Sequence, residues 1–159
     1  MKYHRSICMK GLLIGLMLCL GGVGLGQDWR TITPLKSTRT EVESLFGAGN
    51  DRYLANYSLR DGTLSVEYSS GPCRSERKGG WNVPGGTVVS VRFEPKSKKK
   101  FASLKLEFTK FKKVEGGDVV GVVNYTNEEQ GITYEVHRGK VDAIEYLPNK
   151  RYDSLRCAE

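Results

Sequence analysis

Residues 119–148 constrain the fold of this chain more than any other stretch. Three β-rich runs, 119–123, 132–136 and 141–146, are separated by two turn signals and stopped by Pro148. Short apolar runs bounded by Gly, Asn and Pro read as strands, and this spacing predicts a three-stranded antiparallel meander. Its alternation offers Tyr134, Val136, Ile144 and Tyr146 to the sheet and core.

Residues 1–26 read as a signal peptide. Lys2, Arg5 and Lys10 precede an apolar core at 11–20, and the small residues at 24–26 suit cleavage before Gln27. The charge-free run 11–26 is shorter than the ~20 residues of a membrane-spanning helix, so no transmembrane span is expected after leader removal. Cys19 follows Leu18, where lipid attachment favours a small residue, so lipoprotein processing at Cys19 is not expected. The leader holds three of the 25 basic residues and none of the 18 acidic ones, which leaves 22 against 18. What remains, 27–159, has the length of a single domain with its own core.

Export decides how the cysteines are read. Cys73 and Cys157 remain after the leader, far apart and not in a CxxC spacing. In an oxidising compartment such a pair predicts a structural disulfide between a central loop and the C-terminal tail. A nucleophilic cysteine beside His137 would need one of the two thiols to stay free.

The domain opens with an apolar lead-in and then a helix signature. Thr38 and Glu41 form a capping box, Val42, Leu45 and Phe46 share one face, and Gly47 is placed to end the helix. So short a helix is marginal alone and needs a sheet to cover its apolar face. Residues 53–59 and 63–68 flank Asp61-Gly62, which predicts a hairpin with a positive-φ turn. Residues 69–86 are glycine- and proline-rich and carry Cys73 and Trp81, a loop with one large apolar anchor. Residues 87–94 read as a strand with Val89, Val91 and Phe93 on one face. Eight lysines then fall between 96 and 113, offset by Glu107, while Leu104, Leu106 and Phe108 alternate with polar residues. This stretch reads either as a strand with a charged outer face or as an extended loop with a turn.

Two surfaces are the candidates for binding: the loop around Trp81, and the basic run with Lys96, Lys98, Lys99, Lys100 and Lys105. Lysine point charges without arginine forks, in a chain with an export leader, argue against nucleic acid. An envelope protein or an anionic envelope component is the partner class expected. No catalytic residue, metal or cofactor is assigned. His137 is the sole histidine of 27–159, and the oxygen-rich segment 124–129 lacks EF-hand spacing. A carboxylate pair assembled only by the fold is the enzymatic alternative, an extracytoplasmic hydrolase.

Several motifs carry a resemblance. Trp29, Ile32, Pro34-Leu35, Ser37-Thr38-Arg39, Val42-Glu43 and Leu45-Phe46-Gly47 are followed by Tyr68-Ser69, Gly71, Cys73 and Trp81-Asn82-Val83-Pro84. Tyr125, Asn127-Glu128-Glu129, Gly131, Val141, Ile144, Tyr146 and Pro148 complete the set. Together they resemble an uncharacterised group of small bacterial exported proteins with signal peptides. The helix ending in Leu45-Phe46-Gly47 and the closing meander are also similar to the BamE (SmpA/OmlA) type of outer-membrane assembly module, which implies a binding domain. The expectation is thus an α+β fold, one short N-terminal helix packed on an antiparallel sheet that ends in a meander, acting as a non-enzymatic interaction module of oligomeric state unassigned.

Overall fold

The computed structural model describes residues 28–73, 80–115 and 120–158. The predicted leader, the middle of the glycine-rich loop and the first residue of the 119–123 run lie outside the described residues. One α-helix, α1 (Arg39–Phe46), precedes seven strands: β1 (Leu54–Ser58), β2 (Gly62–Tyr68), β3 (Val88–Pro95), β4 (Lys112–Glu115), β5 (Val122–Asn127), β6 (Ile132–His137) and β7 (Lys140–Tyr146). They form one sheet in the order β1-β2-β3-β7-β6-β5-β4, antiparallel throughout. The sheet dominates. It consists of two meanders, β1 to β3 and β4 to β7, joined where β3 pairs with β7 through Val91–Tyr146, Arg92–Glu145 and Phe93–Ile144.

Local chemistry explains the ends of the elements. The Thr38 hydroxyl accepts from the Glu41 N–H and the Glu41 carboxylate accepts from the Thr38 N–H at 2.7 Å, a complete capping box. Gly47 follows at φ 88°, a conformation that a side chain disfavours. The β6–β7 turn has Arg138 at φ 50° and Gly139 at φ 75°, the two positive values that a two-residue hairpin of matching twist requires. The β1–β2 turn is different from its sequence expectation. Neither Asp61 nor Gly62 has positive φ; Gly62 is already the first residue of β2, opposite Pro95. Glycine is needed there for space, since a Cβ would sit 2.4 Å from the Glu94 carbonyl oxygen and 2.5 Å from the Phe93 ring.

Two further expectations are corrected. In β3 a bulge leaves Val89 unpaired between Ser90, opposite Glu67, and Val88, opposite Tyr68. The extra residue rotates the strand, so Val88 instead of Val89 joins Val91 and Phe93 in the core. The lysine-rich stretch follows the second of its two sequence readings, a loop with turns: it makes short 3-10 turns at Phe101–Ser103 and Phe108–Lys110 before β4. The first meander strand also begins later than its sequence suggests, with Val120 and Gly121 in a turn and Val120 95% exposed.

Residues directly opposite one another in antiparallel strands share a face. Ala55, Tyr57, Leu64, Val66, Val91, Phe93, Ile144, Tyr146, Tyr134 and Tyr125 are therefore on one side. Two clusters lie on that side. The first gathers Trp29, Ile32 and Val42 with residues of β1, β2 and β3, with Leu45, Phe46 and Tyr146 packed against it. Trp29 stacks on Phe93 with ring centroids 4.6 Å apart and meets Tyr146 edge-on at 5.6 Å, so it sits over the β3–β7 junction. The second cluster sets Phe101 on Val136 and Val141, with Leu104, Leu106, Tyr125, Tyr134 and Ile144 around it.

The cysteines are joined. Cys73 and Cys157 form a disulfide with Cα atoms 5.5 Å apart, closing a sequence separation of 84 residues. Beside it Cys157 donates its N–H to the Gly80 carbonyl and Asn82 to the Leu155 carbonyl, while Trp81 bridges Arg156. Among the described residues no helix is long and apolar enough to cross a membrane.

In the chain-entropy treatment a loop of this length contributes about 4.6 kcal/mol, and measured values commonly fall short of it. Cys73→Ser is expected to lower the urea-unfolding free energy by roughly 2–4 kcal/mol and to abolish its sensitivity to reductant; equal stability of variant and parent would refute a structural role for the bridge. A second test concerns pH. Burial, with the Tyr57 hydroxyl beside it, pushes the Tyr68 phenol well above its ordinary 10.0. Burial also raises Tyr134 and Tyr146. The native state holds these protons more tightly than the unfolded chain, so their contribution is complete below pH 10 and declines as the pH rises beyond it. Absorbance titration near 295 nm should show a set of phenols ionising late, together with alkaline unfolding; all tyrosines titrating at the ordinary value would contradict the packing described.

Candidate functional site

The side of the sheet opposite the two clusters carries a polar row across its whole width, with Leu54, Val114 and Ala143 on the same side. Asn56, Ser65, Arg92, Glu145, Thr133, Thr126 and Lys112 stand opposite one another from β1 through to β4, one residue per strand. Hydrogen bonds run along this row and its flanks. The Ser65 hydroxyl donates to Asn56 Oδ1 at 2.6 Å, the Thr126 and Thr133 hydroxyls are 3.1 Å apart, and Ser90 Oγ donates to Glu145 Oε1 at 3.1 Å. Arg92 lies in the centre, its Nε 3.0 Å from Glu94 and its Nη2 3.0 Å from Glu135. Burial pulls the Arg92 pKa down, but the hydrogen bonds to Glu94 and Glu135 outweigh it and raise it. Glu67 and Glu145 have no cationic partner among the described residues.

At one end of this face the stapled loop and the C-terminal segment rise as a rim. A groove of about 420 Å³ is lined by Tyr53, Glu67, Val89, Ser90, Trp81, Leu147 and the disulfide. A second, of about 570 Å³, is lined by Trp81, Thr126, Thr133, Leu147, Pro148 and Arg156. Trp81 and Leu147 border both. Trp81 is half-buried, and the Arg156 guanidinium lies 4.7 Å from its ring centroid. The bulge at Val89 serves this groove: the residue it inserts lines the wall.

The sequence-predicted lysines are elsewhere. Lys96 Nζ donates to the Leu59 and Arg60 carbonyls, and Lys98 pairs with Asp142 at 2.9 Å. Lys99 accepts from the Val141 N–H through its carbonyl and Lys100 bridges Lys140, so both help to dock the segment on the β6–β7 turn. The side chains of Lys99, Lys100 and Lys105 are exposed. Trp81 borders the start of β3 whereas Lys96 follows its end, about 26 Å away along eight residues. The two surfaces are not brought together. His137 lies beside Asp142 at 3.7 Å, on the β6–β7 turn, and the Asn127 side chain closes its own turn by bonding Gln130 at 3.1 Å.

Sequence reasoning passed over Glu67, Ser90, Arg92, Glu94, Glu135 and Glu145. Their signal was present as the polar half of each strand's alternation, but their association depends on register between strands distant in sequence. No protein-family model, no curated protein and no solved structure matches this chain.

Removing the central guanidinium isolates Glu94 and Glu135 on one face. Arg92→Ala is expected to destabilise the fold by about 1–2 kcal/mol, between the values of exposed and fully buried pairs. The loss should shrink when melts are repeated in 1 M NaCl. A salt-independent loss would assign the effect to packing of the arginine stem.

Proposed function

We propose that this chain is an exported, non-enzymatic interaction module of a bacterial cell envelope or secreted space, binding through the uncovered polar face of its sheet. In this reading α1 and the basic segment are the covers of the opposite face, and the loop around Trp81 is the rim of the binding side. One observation carries the proposal: seven strands present an unbroken polar row, flanked at one end by two grooves that share Trp81 and Leu147. A disulfide beside this rim suits an oxidising compartment and keeps the loop set against the face. Rigid scaffolds with loops held at one end are common carriers of binding.

The hydrolase alternative has less support. Glu94 and Glu135 are bridged by a guanidinium, and neither lines the two grooves beside Trp81. Glu67 is the one acid of the first groove, while Glu128 and Asp153 line the second with Lys150 and Arg156.

A photo-crosslinking amino acid placed at Ser65 or Thr133, in protein expressed with its leader, tests the reading. The mature mass should begin at Gln27 and include the disulfide, and both positions should form adducts with an extracytoplasmic component. The same probe at Lys99 should not. Adducts at Lys99 alone would move the function to the basic segment, and retention in the cytoplasm would reject export.

A further inference from the structure

The charge on the uncovered face is opposite to that of the chain. With a formal net charge of +7 over the whole sequence, this face places Glu67, Glu94, Glu135 and Glu145 around Arg92, while Lys150 and Arg156 line the second groove at its rim together with Glu128 and Asp153. Lys112 stands at the far edge of the face on β4. Arg92 engages Glu94 and Glu135, which leaves Glu67 and Glu145 on either side of Ser90, next to the groove of Tyr53, Trp81 and Leu147. The aromatic walls of this groove already receive cations of the chain itself, Arg156 at 4.7 Å from the Trp81 centroid and Arg52 at 5.5 Å from that of Tyr53. With the Glu67 carboxylate beside them the groove suits a further long cationic side chain, its methylene stem on a ring and its charged head at the acid.

Spacing defines the partner further. Register places Glu67 level with Ser90, and Glu145 level with Arg92, so the two glutamates that Arg92 does not engage are two strands and two residues apart, about 12 Å. Alternate side chains of an extended peptide are about 6.8 Å apart, so cations at positions i and i+4, about 13.6 Å apart, reach both carboxylates. We infer that this face binds an extended, lysine- or arginine-bearing segment of a protein partner, crossing the strands, with one cationic side chain seated in the groove between Glu67 and Trp81. The inference rests on the binding face proposed above and specifies its ligand. Charge complementarity disfavours an anionic polymer at Glu67 and Glu145 and gives association its salt dependence.

The probe is an end-blocked octapeptide alternating lysine and threonine, compared with its glutamate–threonine counterpart. The chain has two tryptophans and Trp29 is buried at 3% exposure, so a fluorescence change on titration reports Trp81. The lysine peptide should change the emission of the parent and not of Trp81→Phe. Glu67→Gln combined with Glu145→Gln, which keeps the acceptor for Ser90, should weaken binding at least tenfold with unchanged melting. Raising NaCl from 50 to 500 mM should weaken the parent and leave the double variant little altered, whereas Lys99→Gln with Lys105→Gln should bind as the parent does. Equal or tighter binding of the glutamate peptide, or lysine-peptide binding indifferent to the double variant, overturns the inference. If neither peptide perturbs Trp81 while crosslinks still form at Ser65 and Thr133, the face stands as a binding surface and the cationic ligand is rejected; a response to a neutral oligosaccharide in that case would identify the ligand as glycan.

Discussion

Three residue pairs between β3 and β7 hold this molecule together as one sheet. Val91–Tyr146, Arg92–Glu145 and Phe93–Ile144 join residues that lie 51 to 55 positions apart in the chain, and so short a junction needs help against the entropy of closing that loop. Help comes from both sides. Trp29 lies over the seam, stacked on Phe93 of β3 and edge-on to Tyr146 of β7. On the opposite side Ser90 bonds Glu145, and Arg92 reaches past β7 to Glu135 on β6. Without the seam each meander would keep its hairpins but lose the continuous faces on which the rest depends.

Once the seam is made, the two sides of the sheet have different fates. The N-terminal segment with α1 supplies apolar residues to one half of one side, and the segment from Phe101 supplies them to the other half. The lysines of that second segment are consequences of its position: its apolar residues turn inward and its charges outward, with Lys96 and Lys98 drawn into local contacts. Nothing in the described residues extends over the polar row on the other side except the rim at its Trp81 end. Polar groups on that side bond mainly with one another along and across strands, which keeps them satisfied without a cover.

Much of the local structure was legible in the residues. The capping box of Thr38 and Glu41, the hairpin strands on both sides of Asp61, and the meander ending at Pro148 follow from short-range chemistry that acts in the sequence window where it is read. The Cys73–Cys157 pairing followed from the expected export and from the count of two cysteines beyond the predicted leader. Other features were hidden for physical reasons. Gly62 looks like a turn residue, yet its smallness answers to Phe93 and Glu94 on a strand some thirty residues away. The bulge that exchanges Val88 for Val89 depends on the partner strand, because alternation alone cannot show which residue is skipped. The apolar alternation of 104–108 resembles a strand, but there is no free sheet edge over the core for it to join; it crosses the face instead.

By itself the sequence determined where α1 and most of the strands form, how α1 starts and stops, and which two cysteines can be joined, since capping, turn chemistry and periodicity operate within a few residues. Only the tertiary structure decided the order of the strands, the β3–β7 seam and hence which side of the sheet is covered. That choice is made by packing between segments far apart along the chain, Trp29 against Phe93 and Tyr146, Phe101 against Val136 and Val141. Register then turned scattered polar residues into one row. Glu67, Arg92, Glu135 and Glu145 are unremarkable one by one; only their placement on adjacent strands makes them a surface.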